Sequence, residues 1–225
     1  MNRRKYIDEQ WKYGVALKNK YPEQIAVATT FSMEKFETDT WQEQVMNQLK
    51  RDFHQGAIAV KVWKDIGMTF RDSLGHFIMI DDPRFDPIMQ LIAREGKTLV
   101  AHIAEPLNCW LPLDEMSVNN DRRYFKDHPE YHMYLHPEYP SHDELMAARD
   151  HLLEKNPKLK VVGAHLGSLE WDVEVLGQTL DRFPNFAVDM AARICHFQVQ
   201  DRKKVRKFFM QYQDRLLYGT DSGFR

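Results

Sequence analysis

Apolar positions along the chain repeat with two periods, one near four residues and one near two, and the two kinds of stretch take turns. From Tyr6 to Lys20, Ile7, Trp11 and Val15 recur every four residues on one helical face, and Tyr21-Pro22 stops the run. Gln24 to Thr30 is short and rich in β-branched residues, which predicts a strand. Thr40 and Glu43 have the spacing of a capping box for a helix to Gln55, and Gly56 closes it at a left-handed position. Ala57 to Trp63 reads as the next strand, followed by a polar loop with Gly67 and Gly75. Asp82 as N-cap and Pro83 at the first position open a helix to Glu95, with Gly96 as its stop.

Thr98 to His102 is a third strand, and Glu105 to Pro140 is a lid-like insertion dense in Trp, Tyr, His and Pro. Ser141 and Glu144 repeat the capping box, and Asn156-Pro157 ends that helix. The stretch Leu159-Lys-Val-Val-Gly-Ala-His165 predicts a buried strand ending in a histidine, with Gly163 and Gly167 leaving room for backbone or ligand beside it. A helix over about Trp171–Phe183, a strand over Phe186–Asp189, a helix over Asp201–Tyr212 and a strand over Leu216–Gly219 complete the series.

Six strands alternating with helices imply parallel pairing through right-handed crossovers, in an open doubly wound sheet or a barrel. No glycine-rich phosphate turn follows the first strand, and polar residues end several different strands, which favours an α/β barrel with its site at the strands' carboxyl ends. The 225 residues, 43% of them hydrophobic, are read as one domain with a single core. The 31 basic and 33 acidic residues are interspersed, which argues against nucleic-acid and membrane-surface partners. Two cysteines, Cys109 and Cys195, without paired spacing, and no apolar run near membrane-spanning length point to a cytoplasmic protein.

Three strand ends carry chemistry: His102, His165 and Asp221, the last in Tyr-Gly-Thr-Asp. Alternation puts Lys61 on one side with Ala57, Ala59 and Trp63, where it reaches either a substrate carboxylate or solvent. Asp189 and Arg193 either contact substrate or pair with each other. Glu105 and Trp110 follow His102 closely enough to shape a pocket, with loop packing as the equal alternative. His128, His132 and His136 are four apart, but Pro129 and Pro137 favour an aromatic, half-buried lid over a zinc site.

Together these residues resemble the amidohydrolase superfamily, in its amidohydrolase-related branch, which also holds aminocarboxymuconate-semialdehyde decarboxylase-like enzymes. Tyr21-Pro-Glu-Gln-Ile25 looks like that family's third strand, and the strands ending near Lys61, His102, His165, Asp189 and Asp221 look like its fourth to eighth. The resemblance implies a (β/α)8 TIM-type barrel, incomplete here, with the first two strands and the last helix lacking a counterpart. It further implies a divalent metal, with zinc expected, held by His102 and Asp221, and catalytic roles for His165 and Asp221. The family's first-strand His-x-His pair has no counterpart in this sequence. The expected function is metal-dependent attack of water on an amide, ester or lactone of a small molecule. Decarboxylation of an unsaturated or aromatic acid is the alternative, and a non-catalytic remnant is the second. Self-association is left open.

Overall fold

The computed structural model describes residues 4–223, and among these six strands form one sheet. They are β1 (Val27–Thr29), β2 (Ala57–Val62), β3 (Thr98–Ala101), β4 (Lys160–Gly163), β5 (Phe186–Asp189) and β6 (Leu216–Leu217). Every neighbouring pair is parallel and the spatial order is the sequence order, so each strand is laid beside its predecessor after a helical crossover. That is the winding of a barrel, and β1 does not pair with β6, so the barrel is unclosed. All six strands expected from the sequence are present, several a residue or two shorter than their apolar runs.

Register separates the two sheet faces. Val60, Leu99, Val161 and Phe186 lie in line across β2 to β5, at most 2% exposed, in one hydrophobic core with the helices. Next to them Lys61, Val100, Val162 and Ala187 align on the other face, and each is only half-buried. Lys61, His102 and Asp189 leave the sheet from this second face. In β2 the pairing moves from Val27↔Ala57 to Ala28↔Ala59, which inserts one residue, Ile58. Simple alternation therefore fails at Ala57, which is buried in the helix-side core with Val60 and Val62 rather than facing with Lys61.

The helices are α1 (Arg4–Lys20), α2 (Trp41–His54), α3 (Asp86–Arg94), α4 (Asn119–Asp127), α5 (His142–Lys155), α6 (Val173–Arg182), α7 (Ile194–Gln198) and α8 (Arg202–Tyr212). Asp82 caps a short 3-10 turn, Pro83–Phe85, by accepting from the Arg84 amide, and α3 continues from it. At α5 the Ser141–Glu144 box is fully formed. The expected box at Thr40 is absent: Thr40 already has helical torsions (φ −94°, ψ −10°) and makes no side-chain cap bond. The insertion is ordered by α4 and three 3-10 turns, Leu107–Trp110, Pro129–Tyr131 and Met133–Leu135. No helix among the described residues is long and apolar enough to cross a membrane.

Candidate functional site

β3 and β4 are hydrogen-bonded neighbours, so the residues that follow them leave the sheet side by side. His102, just past β3, and His165, two residues past β4, meet edge to face, their ring centroids 4.4 Å apart at 76°. His165 is held at both its amide and its ring. Its amide donates to Asp189 Oδ1 at 2.9 Å, its Nδ1–H donates to the Ala191 carbonyl at 2.9 Å, and the Ala191 amide shares Asp189 Oδ1 at 3.0 Å. That fixes the Nδ1–H tautomer and leaves Nε2 as the nitrogen that can take or give a proton. Burial lowers the His165 pKa, opposed by the bond to Ala191, so the ring is neutral at pH 7.

His165 begins a turn that sequence propensity does not foresee. His165, Leu166, Gly167 and Ser168 all have φ between 57° and 61°. Left-handed torsions disfavour an L-residue by roughly 1–2 kcal/mol each, and three of the four are not glycine. The room expected around Gly163 and Gly167 is filled by the Phe186 ring: a Cβ on Gly163 would lie 2.6 Å from its Cζ, and one on Gly167 2.8 Å.

Positive charge gathers around the pair. Burial first, then His165, Lys64, Lys61 and Arg193 in that order, push His102 down to about 2. Lys61, at the end of β2, is lowered by burial and pulled back by Asp189 and Asp221. It makes no hydrogen bond or ion pair among the described residues. Lys64 is paired with Glu105 instead, so Glu105 answers a lysine at the mouth of the site rather than a substrate group. Asp189 and Arg193 do not pair: the carboxylate serves the two amides above, and Arg193 Nη1 donates to the Ala192 carbonyl at 3.0 Å. Trp110 anchors the insertion, its Nε1 donating to the Pro140 carbonyl at 3.1 Å and its ring standing edge-on to His142.

Lys61 also heads a groove of about 610 Å³ that runs between α1 and β1. Trp11, Tyr13 and Leu17 of α1, Ile25 and Val27 by β1, and Trp63 give it an apolar wall, and Ser222 closes it beside Asp221. The three insertion histidines are engaged separately: His132 Nε2 with the Leu111 carbonyl at 2.8 Å, His136 Nε2 with Pro129 at 3.0 Å, and His128 near Glu130 at 3.5 Å.

A metal has a partial footing here. His102 Nε2 is buried without a partner, as an unliganded metal-binding imidazole would be. Asp221 is exposed, however, and among the described residues no three His, Cys, Asp or Glu gather closely enough to hold an ion. Among the described residues these side chains do not fit a complete metal site.

Sequence reading passed over a second group of buried polar side chains. Glu170 Oε1 accepts from the Leu107 amide at 2.8 Å, Asn108 holds Asp121 at 2.8 Å, and Asp121 faces His196 Nε2 at 3.4 Å. Gln200 Nε2 closes the ring by donating to the carbonyls of Glu170 and His196. His142 and Arg149 of α5 were passed over too. Their signal was a histidine and an arginine spaced into the stripe Leu145, Met146, Leu152 and Leu153, where an amphipathic helix should be apolar.

No curated protein matches the sequence. Solved structures match at the level of fold. A 2,6-dihydroxybenzoate decarboxylase from Rhizobium aligns with a TM-score of 0.63 at 15% identity, over 97% of this chain and 67% of its own. A dihydroxybenzoic acid decarboxylase from Polaromonas sp. JS666, with bound manganese and 2-nitroresorcinol, gives 0.60 at 15%, over 96% and 64%. An uncharacterized TIM-barrel protein from Bordetella bronchiseptica gives 0.53 at 18%, over 93% and 58%. The chain thus spans about three fifths to two thirds of these structures. The Amidohydro_2 family model, described as amidohydrolase, matches residues 37–222, and by that match over most of its length the chain belongs to this family.

Proposed function

We propose that the site handles a small aromatic or unsaturated carboxylic acid and that its reaction is decarboxylation. The observation that carries this reading is Lys61, an unpaired cation at the head of an apolar groove walled by Trp11 and Trp63. A carboxylate on a flat apolar body is the ligand such a groove complements. Arg193, which forms no ion pair among the described residues, adds positive charge beside His102 and His165, which stabilises an anionic substrate more than a neutral amide or ester. In this reading Lys61 binds the carboxylate, the groove orients the ring, and His165 takes a proton from solvent at Nε2 and delivers it to the carbon from which the carboxyl group leaves as carbon dioxide. Two of the solved relatives named above are decarboxylases, which supports the same choice, and one holds manganese, so manganese is the ion to supply alongside zinc.

The test is binding followed by turnover. Benzoate and 2,6-dihydroxybenzoate are titrated into the protein by calorimetry, with benzamide as the neutral control, and carbon dioxide release is followed with manganese or zinc added. The carboxylates should bind and benzamide should not, and Lys61→Met should weaken binding about tenfold, the scale of one charge-assisted hydrogen bond. Ester or lactone cleavage in place of carbon dioxide release would return the assignment to hydrolysis. Equal affinity for benzamide, with no turnover, would favour a non-catalytic remnant.

A further inference from the structure

Within the left-handed turn from His165 to Ser168 the carbonyls of His165 and Leu166 accept from the Ser168 and Leu169 amides at 3.2 and 3.1 Å, which leaves those of Gly167 and Ser168 to find partners elsewhere. Two come from one face of α5. Arg149 Nη1 donates to the Gly167 carbonyl at 2.8 Å, and His142 Nε2 donates to the Ser168 carbonyl at 2.9 Å. The two residues are seven apart, two helical turns, and they are 2% and 5% exposed. Ser168 Oγ adds a third tie, to the Ala104 carbonyl at 2.8 Å just beyond His102.

A buried guanidinium on a helix face that could carry leucine calls for an explanation. The remaining bonds of Arg149 stay within α5: Nε and Nη2 to Asp150 Oδ1 at 2.9 and 2.6 Å, and Nη1 near Met146 Sδ at 3.0 Å. Its one hydrogen bond beyond the helix, among the described residues, is to Gly167. Its plane also lies 5.5 Å from the centre of the Phe186 ring, against which Gly163 and Gly167 close. A fastening of α5 to the barrel alone would not need two donors on consecutive carbonyls of the most strained segment.

We propose that Arg149 and His142 are positioning residues for His165. They clamp the carbonyls of Gly167 and Ser168, hold the left-handed turn in place, and so keep the His165 ring edge-on to His102 with its Nδ1–H on Ala191. Trp110, resting on His142, ties the clamp to the insertion. The inference goes beyond the reaction proposed above and holds whichever reaction the site runs.

The test reads the ring itself and uses no turnover. Long-range imidazole NMR spectra at fixed pH are recorded on ¹⁵N-labelled protein, with His165→Gln supplying the assignment, for wild type, Arg149→Met and Arg149→Lys. In Arg149→Met, far-UV circular dichroism should stay near wild type while the His165 nitrogens shift. Modification of His165 by diethyl pyrocarbonate should quicken about tenfold, as expected when a local opening becomes one decade more populated. Arg149→Lys, which retains a donor, should fall between. A lowered Tm with His165 shifts and modification rate unchanged would overturn the proposal. Should Arg149→Met fail to fold, His142→Leu makes the same test through Ser168, with His142→Asn as the rescuing variant; an undisturbed His165 in His142→Leu overturns it equally.

Discussion

At Glu170 burial outweighs every neighbouring charge. The carboxyl is 1% exposed, its Oε2 has no partner, and burial pushes its pKa up to about 7, with Arg193 the strongest opposing influence. The folded protein therefore keeps a proton that the unfolded chain releases from about pH 4.5 upward, and stability falls as pH rises through that window to about 7. His196 acts in the opposite sense. Burial pushes it down to about 4, so the unfolded chain binds the extra proton and stability rises with pH up to the ordinary histidine value of 6.5. Glu170→Gln retains an oxygen for the Leu107 amide and removes only the ionisation. It should match wild type near pH 4 and exceed it by about 3 kcal/mol at pH 8, from a displacement of roughly 2.5 units. Urea midpoints at the two pH values check this, and an equal difference at both would show that ionisation is not the cause. Nothing in Ser-Leu-Glu-Trp marks Glu170 as buried. Its state comes from burial against Leu107 and Gln200, distant in sequence, whereas His102 and His165 were legible because each ends an apolar run.

The two S/T-x-x-E sequences show what local pattern does and does not decide about an element. Thr40-x-x-Glu43 and Ser141-x-x-Glu144 are equivalent as text. At Ser141 the backbone is extended (φ −67°, ψ 161°), the side chain accepts from the Glu144 amide, and Glu144 reaches back to the Ser141 amide. At Thr40 the preceding turn, closed by Trp41 N donating to Thr38 O at 3.0 Å, has already bent the chain into helical torsions, and Trp41 is drawn into the cluster with Phe31, Phe36 and Phe85. Tertiary packing overrode the cap. Ser141→Ala should therefore cost about 1 kcal/mol and Thr40→Ala less than about 0.5. Denaturant unfolding of the two variants side by side measures the contrast, and equal losses would contradict the structural difference. The left-handed turn after β4 was hidden for a related reason. Leu166 and Ser168 have no local preference for positive φ, and that backbone is made tenable by the two donors of α5 together with two acceptors, the Ala104 carbonyl and Asp189 Oδ1. The strands were legible because a fully parallel sheet writes nearly continuous apolar runs, while α7 is five residues long and α4 sits in an aromatic insertion with no clear stripe.

For the whole molecule, the half-buried face of the sheet is the consequential feature. Parallel sheets are ordinarily covered on both sides, and here helices seal one side while Ala28, Val100, Val162 and Ala187 remain partly open on the other. Ile58 is 55% exposed, and Leu217, at the free edge strand β6, is 43% exposed. Apolar surface of this kind beside two unpaired edges favours association of like chains, because pairing or stacking removes both from water. The described chain should accordingly sediment as a concentration-dependent mixture at tens of micromolar rather than as one species of 26.7 kDa. Ile58→Glu together with Leu217→Glu places charge on the open surface, at positions that contribute little to the sealed core. The double variant should shift the sedimentation distribution towards monomer while moving the urea midpoint little. A wild-type chain that is monomeric across that range would show that the open face is sufficiently solvated by itself. A double variant that associates as strongly as wild type would place the contact elsewhere, and the exposed aromatic side chains of the insertion, Tyr124, Tyr131 and Tyr134, would be the next surface to charge.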